Sequence, residues 1–331
     1  MKGVGHAARA FAKAFEESAT MASDLKGHKI GWIGAGGRMG FSMAERLAKA
    51  GADVAVWNRT RAKAEPLTKS GCSIVESPAA LAGRDIVFVT VAASHDLEEV
   101  ALGAGGVLTA NQQPKILIDS STVSEEASAK VRAAAKKRGV EMLAAPVSGN
   151  AKVVKAGKLS FVVSGPRAAF DTALPYLDAM GKGASYVGEG ELARLVKICH
   201  NVFLGVVIQS LTEVTVLAEK GGVPRHAFLE FLNLSVMGSV FSRYKSPSLV
   251  NLDFTPTFTP VLLKKDLDLG LDAAERTGAS MPVTAVTREL IQSLIARGHV
   301  DDDFATLILQ QADASGLKLK PENVKVDDGL H

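Results

Sequence analysis

Lys197 and Asn201 stand four residues apart in the proline-free stretch from Glu191 to Lys220, so on a helix their side chains share one face. An ammonium beside a side-chain amide can neutralise the charge that develops on a carbonyl oxygen when hydride arrives at its carbon, and can donate the proton. Leu195, Val196 and Ile198 surround the lysine with apolar side chains. Burial among them lowers a lysine pKa toward neutrality. The plain alternative is a solvated helix lysine. His200, three residues on, is a weaker acid–base candidate, because a histidine so placed more often packs and hydrogen-bonds.

The second concentration of chemistry is the glycine cluster Gly34-Ala35-Gly36-Gly37-Arg38-Met39-Gly40. A strand-like run, Lys29 to Ile33, precedes it. A helical pattern with Met43, Ala44, Leu47 and Ala48 follows, closed by Gly51, and a second strand-like run spans Asp53 to Trp57. Strand, glycine turn, helix, strand is the context in which backbone approaches a pyrophosphate and helix N-terminal N–H groups hold it. The spacing is irregular: either Gly34 and Gly36 are the first two glycines and Met39 fills the third place, or Gly37 and Gly40 match and Ala35 stands first. One residue looks inserted.

After the second run come Asn58-Arg59-Thr60, with no carboxylate. An acid here accepts ribose hydroxyls and repels a 2′-phosphate, whereas Arg59 can pair with that phosphate and Thr60 can donate to it. The expectation is NADP(H), with NAD(H) open. Further strand-like runs at 85–91, 115–118 and 140–143 alternate with helical patterns, which predicts a parallel doubly wound sheet. Ligands bind beyond the strand ends, so three segments matter. Val91 and Ala92 are small enough to pack on a cofactor. Asp119-Ser120-Ser121-Thr122 lies at the second such end, and can also be read simply as turn and cap chemistry. Ser148, Gly149 and Asn150 offer a hydroxyl, free N–H groups and an amide to an anion. The runs 159–164 and 185–187 are expected to complete the sheet.

The chain has 331 residues, 47% of them hydrophobic and 22% charged, with a net charge of +3. These totals give no support to a nucleic-acid or membrane-surface role. Cys72 and Cys199 form no CxxC site, which suits a reducing, cytoplasmic setting. No uninterrupted apolar run reaches the roughly eighteen residues of a membrane span, and no metal-ligand cluster is visible. Residues 1–20 are Ala-rich, with Phe11 and Phe15 suited to a short amphipathic helix. Glu16 and Glu17 argue against a transit peptide, and Met21 reads as an alternative start.

With these motifs in view, the sequence resembles the β-hydroxyacid dehydrogenase family, which includes 3-hydroxyisobutyrate dehydrogenase and the semialdehyde reductases and shares ancestry with 6-phosphogluconate dehydrogenase. Five motifs occur in the family's order over about residues 29–316: Gly34 to Gly40, Asp119-x-Ser121-Thr122, Pro146-Val147-Ser148-Gly149, Lys197-Ile198-Cys199-His200-Asn201 and Lys265-Asp266-Leu267-Asp268-Leu269. The resemblance implies that Lys197 is the proton donor and that Asn201 orients substrate or a water. It implies that Ser121, Ser148 and Gly149 hold the substrate's carboxylate or hydroxyls, and that Lys265 closes over cofactor and substrate. Departures from the pattern are Ala144 for an Asp, Asn150 for a Gly, Glu125 for a Pro, Glu191 and Ala193 for two glycines, and His200 for an Asn.

The architecture expected is an N-terminal extension (1–27), a Rossmann domain (28–190), an all-helical substrate and dimerisation domain entered by a long interdomain helix (191–317), and a surface tail (318–331). Helices are expected at 224–234, 259–277, 282–297 and 302–315, with loops at 235–239 and 246–260. A long helix apolar over most of its circumference must be buried on all sides, which points to a homodimer or homotetramer through the C-terminal helices. The substrate class is a small carboxylate-bearing aldehyde or hydroxyacid. Two other readings stay open: an imine reductase, whose relatives usually lack this lysine, and a non-catalytic dinucleotide-binding module.

Overall fold

The structure, a computed structural model, describes residues 25–330, so the expected N-terminal helix at 1–20 lies outside the described residues. The chain divides into two compact units, one ending at Arg194 and the other beginning at Leu195.

In the first unit six strands form one parallel sheet: β1 (Lys29–Ile33), β2 (Asp53–Trp57), β3 (Ser73–Ile74), β4 (Ile86–Val89), β5 (Ile116–Asp119) and β6 (Glu141–Ala144), in the order β3-β2-β1-β4-β5-β6. The runs are rich in β-branched residues and apolar on both faces, as strands covered on both sides must be. Ile30, Trp32, Val54, Val56 and Phe88 point into one core, while Ile33, Ala55, Val87, Val89 and Leu117 point into the other. Helix α1 (Arg38–Lys49) covers the first face through Met43, Ala44 and Leu47. The helices α2 (Ser94–Leu102) and α3 (Glu125–Lys137) cover the second through Leu97, Ala101, Val131 and Ala135. The strand order reverses between β1 and β4, and ligands bind such sheets at that switch point. Ile33 pairs with both Trp57 and Val89, and Val89 with Asp119, so the segments 34–40, 58–60, 90–94 and 120–124 all leave the same edge.

The later strands do not extend this sheet, as the sequence had suggested. β7 (Val147–Ser148), β8 (Ser160–Val163) and β9 (Gly183–Tyr186) form a separate three-stranded sheet, with β7 antiparallel to β8 and β9 parallel to it. The short helix α4 (Ala151–Lys155) links β7 and β8, and α5 (Arg167–Met180) links β8 and β9. A two-residue β7 carries too little periodicity to be legible as a strand.

The second unit is helical: most of α6 (Leu192–Lys220), then α7 (Arg225–Leu234), α8 (Val240–Asn251), α9 (Pro260–Thr277), α10 (Pro282–Ala296) and α11 (Leu307–Ala314). The segment 246–251, expected as loop, continues helix α8 through Pro247. Ser239 caps that helix by accepting the Ser242 N–H at 3.0 Å, and the Ser246 hydroxyl donates to the Ser242 carbonyl at 2.8 Å, supplying local bonds around the proline. The helices α6 and α9 approach closely because Gly270 has no side chain, since a Cβ there would lie 2.3 Å from Val202 Cγ2. This crossing sets the lysine-bearing turn of α6 against α9.

By length and a mean hydropathy of 1.6, α6 is apolar enough to cross a membrane, though half of that window is buried inside the protein. The apolar runs visible in the sequence are shorter because Gln209, Ser210 and Thr212 interrupt them. Phe203 (69% exposed) and Leu217 (72%) on α6 face outward, so within one chain the helix is not covered all round.

The tail is more engaged than a surface segment. Leu317, Leu319, Val324 and Val326 pack on the helical core. Glu322 accepts the N–H groups of Arg225 (2.7 Å) and His226 (3.1 Å), capping α7.

Candidate active site

The glycine turn between β1 and α1 is shaped by absent side chains. Gly34 has φ +85°, and a Cβ would fall 2.0 Å from the Thr90 carbonyl oxygen. At Gly36 a Cβ would meet Asn58 Nδ2 at 2.5 Å, and at Gly40 the Gly34 carbonyl at 2.5 Å. The space-limited positions are therefore Gly34, Gly36 and Gly40, which places the extra residue between the second and third glycines. Ala35 is fully buried, and its N–H bonds the Trp57 carbonyl at 3.3 Å. Gly37 is the N-cap of α1 in extended conformation, with no side-chain capping bond and no acid in the first turn. The N-terminus of α1, with its positive dipole and first-turn N–H groups, thus opens at the glycine turn, which fits a pyrophosphate.

Around this cradle the expected cofactor residues take distinct positions. The Asn58 amide is committed to the turn, its Oδ1 accepting Gly36 N–H at 3.0 Å and its Nδ2 donating to the Thr60 carbonyl at 2.8 Å. Asn58 therefore holds the turn in shape rather than offering a free amide. Arg59 and Thr60 are exposed beside it. Val91 is half-buried, Ala92 exposed and Thr122 half-buried, on the edge where β4 and β5 end.

Ser121 is buried, and its Oγ accepts the Val91 N–H at 2.9 Å, leaving the hydroxyl proton to donate elsewhere. Ser148 lies half-buried in β7. Gly149 has φ +137°, and a Cβ there would strike Val153 Cγ1 at 2.7 Å. The Asn150 Oδ1 caps α4 by accepting the N–H groups of Lys152 (3.0 Å) and Val153 (3.1 Å), so only its Nδ2 remains as a donor to a ligand.

In the second unit, Lys197 donates to Asn201 Oδ1 at 2.8 Å. The Asn201 Nδ2 donates to Asp266 Oδ2 at 2.6 Å, and Asp266 Oδ1 lies 3.2 Å from the Lys265 ammonium. Asp266 can only accept, so it sets which end of the Asn201 amide faces the lysine. His200 Nδ1 lies 2.9 Å from the same Asn201 Oδ1, and since that oxygen accepts, a neutral His200 carries its proton on Nδ1. Burial pulls the Lys197 pKa down to about 8, against an upward pull from Asp266 and a further downward push from Lys265. Burial and then the Lys197 charge lower the His200 pKa. A lysine so poised can exchange a proton near neutral pH.

Three groups escaped the sequence reading. Asp266 was visible only as a neighbour of Lys265. Asp96 meets Arg59, and Arg194 meets Asp119, through folds of the chain that sequence spacing does not encode. Among the described residues no group of three or more His, Cys, Asp or Glu side chains could hold a metal ion.

Residues 29–188 match the NAD binding domain of 6-phosphogluconate dehydrogenase, and residues 191–310 match the NAD-binding domain of NADP-dependent 3-hydroxyisobutyrate dehydrogenase. The chain is 32% identical over 280 residues to glyoxylate/succinic semialdehyde reductase 2, chloroplastic, of Arabidopsis thaliana, covering 84% of this chain and 78% of that protein. It is 29% identical to the NAD-dependent L-serine dehydrogenase of Pseudomonas aeruginosa, covering 84% and 96%. Among solved structures, 3-hydroxyisobutyrate dehydrogenase of Mycobacterium tuberculosis with L-serine superposes with a TM-score of 0.74 at 29% identity, covering 86% of this chain and 99% of that one. The chain is an NAD(P)-binding oxidoreductase and belongs to the β-hydroxyacid dehydrogenase family.

Proposed function

We propose that this protein interconverts a small carboxylate-bearing hydroxyacid and its semialdehyde or keto acid, with NADP(H) preferred and Lys197 as the general acid in reduction. The observation that carries the reading is the Lys197–Asn201–Asp266 chain, in which a half-buried lysine with a pKa of about 8 is held by an amide that a buried carboxylate orients. The similar proteins take, by their names, glyoxylate, succinic semialdehyde and L-serine. Each such molecule joins a carboxylate to a carbon that can exchange hydride.

A bound nicotinamide supplies or accepts that hydride. The chain's own residues do the rest. First-turn N–H groups of α1 from Arg38 and Met39 hold the pyrophosphate, with Gly34, Ala35, Gly36 and Gly37 shaping the approach and Asn58 bracing the turn. Arg59 and Thr60 take the 2′-phosphate, and Val91, Ala92 and Thr122 pack on the cofactor. Ser121, Ser148, Gly149 N–H and Asn150 Nδ2 anchor the substrate carboxylate or hydroxyl. Lys265 supplies positive charge to anionic cofactor or substrate. In reduction the Lys197 ammonium stabilises the carbonyl oxygen and passes it a proton. In oxidation the neutral amine takes the hydroxyl proton. Asn201 keeps the ammonium aimed.

A second copy of the chain is the proposed cover for Phe203, Leu217, Phe231 and Leu234, each at least 69% exposed on the helical unit. Sedimentation equilibrium tests this, and a monomer at micromolar concentration would refute it.

The experiment is steady-state oxidation of NADPH and NADH with glyoxylate and with succinic, tartronate and methylmalonate semialdehydes, for the wild type and Lys197→Ala. Turnover that falls by about 10²–10⁴-fold in the variant, with NADPH affinity within about threefold of wild type, is expected. Normal turnover in Lys197→Ala would overturn the assignment of the acid.

A further inference from the structure

The end of β2 carries no carboxylate in the sequence, yet the fold brings one there from another element. Asp96, in the first turn of α2, is buried. Its Oδ1 lies 3.1 Å from Arg59 Nη1 and 3.3 Å from His95 Nε2, and its Oδ2 accepts the Ala93 N–H at 3.2 Å. The bond to Ala93 is a local capping contact that fixes the carboxylate whether or not a ligand is present. Arg59, by contrast, is 75% exposed, with the remainder of its guanidinium turned to solvent.

We infer that Asp96 is a specificity-determining residue for the cofactor: a fixed negative charge behind Arg59 that curbs the preference for a 2′-phosphate and admits NAD(H) to the same site. The inference rests on the proposed role of Arg59 as the 2′-phosphate contact. A guanidinium has five N–H donors, so engaging Nη1 with Asp96 leaves an edge for a phosphate. A phosphate monoester carries close to two negative charges near neutral pH. Seated on Arg59, it lies within about a guanidinium's width of the Asp96 carboxylate, a range at which like charges repel appreciably even with solvent present. An unphosphorylated ribose meets no such repulsion, and its hydroxyl can donate to the carboxylate.

Two effects of removing the charge oppose each other, and their sizes decide the sign. An ion pair whose arginine is this exposed contributes little, and an asparagine with its Oδ1 toward Arg59 still accepts from the guanidinium while giving up the separate Oδ2 contact to the Ala93 N–H, so Arg59 loses little order. The repulsion of a doubly charged phosphate is lost in full. Asp96→Asn therefore favours NADPH over NADH.

The test is equilibrium titration of the full chain at pH 8 with NADPH and with NADH, followed by nicotinamide fluorescence, for wild type, Asp96→Asn, Asp96→Glu, Arg59→Ala and Arg59→Ala/Asp96→Asn. Asp96→Asn is expected to raise the NADPH/NADH affinity ratio about tenfold, with Asp96→Glu near wild type. Arg59→Ala is expected to lower the ratio. In the Arg59→Ala background the asparagine should change the ratio less than about threefold, since the phosphate is no longer drawn to that position. A ratio unchanged or lowered in Asp96→Asn, with Arg59→Ala lowering it, overturns the role of Asp96 and leaves Arg59 as the phosphate contact. A ratio unmoved by Arg59→Ala overturns the Arg59 reading and this inference with it.

Discussion

Arg194 and Asp119 form an ion pair shut off from water, with side chains 2% and 0% exposed. The pair does more than neutralise itself. Arg194 Nη1 donates to the Ser121 carbonyl at 2.8 Å, and Asp119 Oδ1 accepts the Ser121 N–H at 3.0 Å, so both backbone groups of Ser121 are pinned. Glu191 lies 3.4 Å from Arg194 and 2.6 Å from Arg132. That accounts for Glu191 where the family pattern has glycine: its charge is met by two arginines.

Removing one partner of such a pair strands a buried charge. Arg194→Ala is expected to cost about 3–5 kcal/mol, read as a lowered urea midpoint. The double variant Arg194→Met/Asp119→Asn should cost less than the two single changes summed. Additivity of the two would show that the pair is not coupled.

Gly34→Ala tests the turn. The substitution puts a Cβ 2.0 Å from the Thr90 carbonyl oxygen at a φ of +85°, where backbone strain alone costs on the order of 1–3 kcal/mol. A lowered melting temperature together with loss of NADPH binding is expected. Gly71→Ala is the control, because it shares a positive φ but has nothing within 4 Å of its Cβ, so it should show the strain without the loss of binding.

The pH dependence follows from Lys197. Its folded-state pKa of about 8 lies below the ordinary 10.5. Reduction needs the ammonium, so kcat/KM for the aldehyde should be level below about 8 and fall above it, while the oxidative direction rises through the same pH. For stability, the unfolded chain binds the extra proton between about 8 and 10.5, so the burial cost is full below 8 and fades as pH rises toward 10.5. Lys197→Met should accordingly gain most over wild type at neutral pH, measured by urea unfolding at pH 7 and pH 10. Equal gains at both would contradict the lowered pKa.

Asp266 pulls the Lys197 pKa upward. Asp266→Asn keeps an acceptor for the Asn201 amide but deletes the charge, so the break in the reductive pH profile should move below about 8. A break that stays in place would show that burial alone sets it.

The tail can be tested at one residue. Glu322 takes both the Arg225 and His226 N–H groups at the start of α7. Glu322→Ala should cost about 0.5–2 kcal/mol, as a lost helix cap does, with NADPH affinity unchanged.

What the sequence by itself determined is whatever depends on neighbours along the chain. Strand and helix runs carry period and composition, so β1, β2 and α6 were legible to within a residue or two, and α1 as a helical pattern without its start. The i, i+4 spacing of Lys197 and Asn201 put them on one helix face before any fold was known, and the glycine cluster announced a tight turn. Its irregular register was not resolvable, because which glycines matter depends on Thr90 and Asn58, residues well outside the turn. Tertiary structure decided the rest. It moved the later strands into a second sheet, since β7 is too short to show a period. It ran a helix through Pro247, where local propensity argues for a loop. It joined Asp96 to Arg59, Asp119 to Arg194 and Asp266 to Asn201, pairs separated by 37, 75 and 65 residues. Charge pairing acts through space, and a carboxylate's partner is chosen by the packing of helices and strands that carry no mark of it in their own residues.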